Sequence, residues 1–297
     1  MSTVTIRGAE HSYSLIQSSP DESKTESQSN SQSNSPFTIA FVHGWLLSRS
    51  YWNPLIDQLQ SHFSCLSYDL RGFGASGIGD RDEYSLDSYA LDLQEMLDQL
   101  GIDKVWLVGH SLGGSIALLS ANLMGDRVLG VICLNAGGGI YIKEEFEKFR
   151  TAGQVLLKLR PQWLQNLPLI HAQFAKDSVL NPLDLSWGKQ RAIDFVSAKY
   201  VAARGTLLDS TREEEVHKLP QIVAKLPQPI YFVAGENDRI MEPKYVRHLA
   251  SFHPSFNGHG ENVFELPNCG HMGMLEQTDL LHSLMMKLLA EPMVIKS

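Results

Sequence analysis

The chain has 297 residues, of which 43% are hydrophobic and 20% charged, with a formal net charge of −8. These are the proportions of a folded globular protein, and the acidic balance argues against a nucleic-acid partner, which requires a clustered basic surface. Three scattered cysteines (Cys65, Cys133, Cys269) and no CxxC pair argue against a disulfide framework and fit a reduced, cytoplasmic setting.

From the start, MSTVTIRGAEHSYS contains no apolar signal region, and no later segment approaches the roughly 18 apolar residues of a membrane span. Peripheral membrane contact stays open. TVTIR (3–7) and HSYSLI (11–16) alternate apolar and polar residues, predicting a hairpin turning at Gly8-Ala9-Glu10. Residues 18–36, SSPDESKTESQSNSQSNSP, are polar and aperiodic, which predicts a disordered surface loop.

From residue 38 the pattern becomes strand then helix. TIAFVH (38–43) reads as a buried strand, 51–63 as a helix and SCLSYD (64–69) as the next strand. Leu86, Tyr89, Ala90, Leu93, Met96, Leu97 and Leu100 recur at helical spacing, with Ser85 as cap and Gly101 as stop. A strand over 104–108, a helix over 113–124 and a strand over 128–135 follow. Such alternation predicts a mostly parallel sheet with helices on both faces. Residues 140–218 carry only helical signals, so a helical cap or lid is expected there. It divides a core of 1–139 from a second part, 219–297. That second part holds strands at 229–235 and 261–267, a helix near Tyr245 and a last helix over 279–290.

The segment LVGHSLGGSIAL (107–118) carries the chemistry. Gly109-His110-Ser111-Leu112-Gly113 matches G-x-S-x-G between a predicted strand and a predicted helix, the context that motif needs. A sharp turn there exposes the serine hydroxyl at the strand's carboxyl end, and side chains at 109 and 113 would collide. A lone hydroxyl is a weak nucleophile; it needs a base, and the base needs an orienting acid. Asp238 follows one late strand and His271 the next, giving the order Ser, Asp, His. Glu236 competes for the acid's role. His110 reads as packing, His43 as a structural brace for its loop, Asp69 and Arg71 as a structural pair, and Cys269 as a small buried residue. Met272, Met274, Phe146, Phe149, Trp163, Phe174 and Trp187 are candidates for an acyl pocket or for plain core.

On these residues the chain resembles the α/β-hydrolase superfamily, in its serine esterase and lipase-like branch. His43-Gly44 is similar to that family's HG turn, YDLRGFGASG (68–77) to its D-x-R-G-x-G-x-S segment, and GENDRIMEP to its acid loop. The resemblance implies an α/β-hydrolase fold with an inserted cap, a triad of Ser111, Asp238 and His271, and an oxyanion hole made by the backbone N–H groups of Trp45 and Leu112. It implies no cofactor and no metal. The expected reaction is cleavage of a carboxylic ester, with an apolar, lipid-like small molecule as the candidate substrate. Thioesterase, carbon–carbon bond hydrolase and perhydrolase activities share the triad, as does a hydrolase-fold ligand receptor with little turnover. Dehalogenases and epoxide hydrolases of the superfamily carry an aspartate where Ser111 stands.

Overall fold

The computed structural model describes residues 2–18, 37–137 and 143–290; the segment 19–36 and the expectation of disorder there lie outside them. Eight strands form one sheet in the order β1-β2-β4-β3-β5-β6-β7-β8. The N-terminal hairpin is β1 (Ser2–Ile6) and β2 (Ala9–Ile16), and β2 runs antiparallel to β4 (Ser64–Tyr68). The hairpin is tighter than predicted. Arg7 and Gly8 take φ of 48° and 83° and form a two-residue turn, so Ala9 and Glu10 join the strand.

The strands β3 (Thr38–Val42), β4, β5 (Val105–His110), β6 (Val128–Leu134), β7 (Ile230–Gly235) and β8 (Val263–Leu266) are mutually parallel. Their near-continuous apolar runs follow from burial on both faces. Ala40, Val42, Val105, Leu107, Val131 and Phe232 enter the core on one face, beneath α2 (Leu86–Gln99) and α3 (Leu112–Met124). Ile39, Phe41, Trp106, Val108, Ile132 and Tyr231 enter the core on the other, beneath α1 (Asn53–Leu59). A fully buried side chain such as Phe41 contributes about 1.5–3 kcal/mol by leaving water.

The predicted helix over 51–63 is shorter, because a 3-10 turn over Arg49–Trp52 precedes α1. Ser85 caps α2, its hydroxyl accepting from the Ser88 N–H at 3.1 Å. Between β6 and β7 lie α4 (Lys143–Lys158), α5 (Pro168–Phe174), α6 (Leu185–Ser197), α7 (Tyr200–Ser210) and α8 (Glu213–Val223). Helix α8 runs past the predicted boundary at 218, and its Leu219, Ile222 and Val223 join the core on the α2/α3 face. The chain finishes through α9 (Pro243–Ala250), α10 (Gly273–Glu276) and α11 (Thr278–Ala290). No helix among the described residues is long and apolar enough to cross a membrane.

The chain leaves β3 toward β4 on one side and returns to β5 on the other. A crevice therefore opens beyond the carboxyl ends of β3 and β5, the place where open α/β sheets bind ligands.

Candidate active site

Ser111 stands at that crevice, between the end of β5 and the first residue of α3. Its φ of 52° and ψ of −120° are a sparsely populated pair for a residue with a Cβ, a strain of order 1–3 kcal/mol that surrounding contacts must hold. The glycines on either side are required by contact. A Cβ at Gly109 would lie 2.2 Å from the Gly113 carbonyl oxygen, and one at Gly113 would lie 2.2 Å from that of Val42. The Ser111 N–H donates to the Leu134 carbonyl at 2.9 Å, and the Gly114 N–H to the Ser111 carbonyl at 2.9 Å. The elbow is thus pinned from both sides while the side chain stays half-exposed. Helix α3 directs its positive end at the same point.

The loop after β3 lies against this turn. A Cβ at Gly44 would come within 3.3 Å of the Ser111 Cβ. His43 is fully buried and braces the loop. Its Nε2 accepts from the Leu70 N–H at 2.9 Å, so Nδ1 carries the proton and donates to the Gly44 carbonyl at 2.8 Å. Burial holds this histidine below its ordinary pKa, so the brace is neutral. The Trp45 indole N–H donates to the Ala203 carbonyl in α7 at 2.9 Å, tying the loop to the helices between β6 and β7. Among the described residues, neither the Trp45 nor the Leu112 backbone N–H donates to a protein acceptor.

Asp238 and His271 meet. Asp238 follows β7 and His271 follows β8, and the two turns touch through glycines: a Cβ at Gly235 would lie 2.1 Å from the Gly270 carbonyl. The His271 Nδ1–H donates to Asp238 Oδ2 at 2.8 Å. The same oxygen accepts from Asn135 Nδ2 at 2.8 Å, while Oδ1 accepts from the Ile240 and Met241 N–H groups at 2.8 and 3.0 Å. Burial alone would raise the Asp238 carboxyl, but the His271 charge and these hydrogen bonds outweigh it and hold the group below the usual carboxylate range. Glu236 instead accepts from the Asn268 N–H at an exposed position. Among the described residues the Ser111 hydroxyl makes no hydrogen bond to the imidazole. The two are linked through His110, whose ring centroid lies 4.8 Å from that of His271.

His110 does more than pack. Its Nε2–H donates to the His271 carbonyl at 2.7 Å, and burial, reinforced by the His271 charge, lowers its pKa to about 3. The ring is a neutral anchor between the elbow and the histidine turn. Asn135, at the end of β6 with φ 48°, orients Asp238 and also donates to the Gly270 carbonyl at 3.2 Å. The sequence reading passed over it, although an asparagine directly after a buried strand suits a left-handed residue that must also donate.

The expected Asp69–Arg71 pair does not form. Asp69 takes the Arg49 guanidinium and the Arg49 and Ala75 N–H groups, while Arg71 pairs with Asp92 at 2.9 Å. Met272 and Met274 are core residues beside Leu281 and Met285, and Trp163 is largely exposed. Trp187 packs against Tyr51 at a tilt of 31° with centroids 5.6 Å apart, and Phe174 against Phe195 at a tilt of 50° and 5.4 Å. The side chains of Phe146 and Phe149 lie outside the described residues. The three cysteines are free and buried, and burial raises each thiol, Cys65 to about 12.

The family model for the alpha/beta hydrolase fold matches residues 38–278. The chain belongs to the alpha/beta hydrolase family. As a hydrolase-fold protein it is 27% identical over 217 residues to the bifunctional esterase/perhydrolase DCH of Acinetobacter calcoaceticus, covering 68% of this chain and 75% of that one. It is 32% identical over 98 residues to epoxide hydrolase 4 of Mus musculus, covering 33% of this chain and 27% of that one. Its structure resembles that of an enol-lactonase from Burkholderia xenovorans LB400 with a TM-score of 0.74 at 19% identity, covering 98% of this chain and 100% of the other.

Proposed function

We propose that this α/β hydrolase cleaves carboxylic esters through an acyl-enzyme, with Ser111 as nucleophile, His271 as general base and acid, and Asp238 as the orienting carboxylate. The observation that carries this reading is the 2.8 Å bond between His271 Nδ1 and Asp238 Oδ2 at the sheet edge where Ser111 holds a strained φ of 52°. The carboxylate keeps the imidazole proton on Nδ1, leaving Nε2 as the acceptor. Ser111 Oγ adds to the ester carbonyl carbon as its proton passes to Nε2. The oxyanion is met by the N–H groups of Trp45 and Leu112, each such donor supplying about 2.7–4 kcal/mol in acyl transfer. The tetrahedral intermediate expels the alcohol, which takes the proton back from His271. Water, giving its proton to the same nitrogen, then adds to the acyl carbon, and the acid leaves as Ser111 Oγ takes that proton back from His271.

Leu112 follows Ser111 directly, Trp45 and Leu46 follow Gly44, which lies against Ser111, and all three are apolar, which favours an apolar acyl group. In this reading the helices between β6 and β7 act as the cap, and the three free thiols favour the cytoplasm. The name of the Acinetobacter relative supports one extension: hydrogen peroxide in place of water would attack the acyl-enzyme and release a peracid. Turnover of a short p-nitrophenyl ester tests the proposal. Ser111→Ala should abolish it with the fold intact, and retained turnover would overturn the triad.

A further inference from the structure

Glu276 sits five residues beyond His271, at the end of α10, and its carboxylate serves groups on two separate parts of the chain. Oε1 accepts from the Met272 N–H at 3.0 Å, and Oε2 from the Gly270 N–H at 3.0 Å. These are the peptide donors on either side of His271. Oε2 also accepts from the Leu180 N–H at 2.7 Å, in the segment joining α5 to α6. That segment touches the histidine directly, because the His271 N–H donates to the Ser178 carbonyl at 2.8 Å. Ser178 holds a φ of 60° there. No side chain separates the two strands of chain: a Cβ at Gly270 would lie 2.9 Å from both the Leu180 nitrogen and the Val179 Cα.

A glutamate that only capped α10 would reach back to Met272 and stop. The bonds to Gly270 and Leu180 lie outside that helix. We propose that Glu276 is a positioning residue that couples the α5–α6 segment to the imidazole, so that residues 178–180 and 270–272 hold or shift as one body. This rests on the proposed roles of Ser111 and His271. Under it, a substrate that presses on the α5–α6 segment acts on the alignment of the general base through three backbone N–H groups and one carboxylate.

The test is Glu276→Gln, which keeps the shape but turns one acceptor oxygen into a donor facing an N–H. The full-length variant is compared with wild type in kcat and KM on a short p-nitrophenyl ester, in the rate at which a fluorophosphonate labels Ser111, and in amide hydrogen exchange. The expected result is a kcat lower by about 10- to 100-fold, the scale set by a misplacement of an ångström or less, with KM within about twofold and labelling slowed in parallel. Exchange should quicken together in peptides covering 177–181 and 268–273. Glu276→Asp keeps the charge but is one methylene too short to serve both arms, and it should show the same joint exchange if Glu276→Gln folds poorly. Unchanged kcat and labelling, or faster exchange in 268–273 alone, overturns the coupling. If at the same time Ser111→Ala is inactive, only this inference falls; an active Ser111→Ala removes the triad reading instead.

Discussion

Under the proposed mechanism, Asp238→Asn separates the chemical role of this carboxylate from its structural one. In wild type both carboxylate oxygens accept two hydrogen bonds, Oδ2 from His271 and Asn135, Oδ1 from the Ile240 and Met241 N–H groups. An asparagine can keep its oxygen on one side only. With its amide on the Oδ1 side it would face two peptide N–H groups, which cannot reverse. With its amide on the Oδ2 side it faces Asn135 and an imidazole that can change tautomer. The second arrangement wins, and it places the His271 proton on Nε2, where a base needs a lone pair. The loss in kcat should approach the roughly 10,000-fold seen when a triad carboxylate becomes an amide. The unmatched Asn135 donor costs only about 1–3 kcal/mol of stability, so the protein should remain folded. The measurement is kcat on a short p-nitrophenyl ester beside a urea unfolding curve. A folded variant that retains a tenth or more of wild-type kcat would refute the tautomer argument.

Gly113→Ala should lower stability by about 3 kcal/mol or more, since its methyl would meet the Val42 and His43 carbonyl oxygens at 2.2 and 2.7 Å and neither can retreat without moving β3; an unchanged urea midpoint would contradict this. Arg71→Ala should cost about 1–3 kcal/mol, because the buried Asp92 keeps Arg7 at 3.2 Å but loses Arg71, and the Glu83 carbonyl loses its donor; the same experiment reads it. Asp194 in α6 is buried and accepts from Ser48 Oγ at 2.9 Å, and burial, against the bonds from Gln190 and Ser48, raises its pKa from 3.8 to about 6. Because the folded value lies above the unfolded one, its contribution is complete below about pH 4 and is lost as the pH rises through about 6, a change of roughly 3 kcal/mol. Asp194→Asn should therefore stabilise the protein more at pH 8 than at pH 4.5, and an equal effect at both would count against it.

The residues legible in the sequence are those whose reasons are local. Ser111 could be placed because the glycines that relieve its turn stand two positions away on each side, and the parallel strands because two-faced burial writes itself as a continuous apolar run. Chain order at strand ends is enough to pair Asp238 with His271, and the two side chains do meet. The supporting residues have their reasons far away: His110 bonds a carbonyl 161 positions on, Asn135 a carboxylate 103 on, and Glu276 an N–H 96 positions back. No window of sequence contains both partners. Nearness misled for Asp69 and Arg71, two apart in sequence. Each is claimed instead by a different element, Asp69 by the 74–75 turn and Arg49, and Arg71 by Asp92 of α2.

The distant partners also explain why, under the proposed mechanism, one site can hold three histidines and use a single one. His43 and His110 are fully buried, and burial outweighs the opposing pull of Asp69 on the first and of Asp238 on the second and keeps both neutral. His271 alone faces Asp238. Under the proposed mechanism an imidazolium forms at His271 with each acyl transfer. A charged His110, its ring centroid 4.8 Å away, would oppose that step by about 3 kcal/mol at an effective dielectric constant near 20, more than a hundredfold in rate. With a pKa of about 3 it stays uncharged through the neutral range and still spends its one proton on the His271 carbonyl. The same burial that disqualifies His110 as a base makes it a fixed support for the histidine that can act as one.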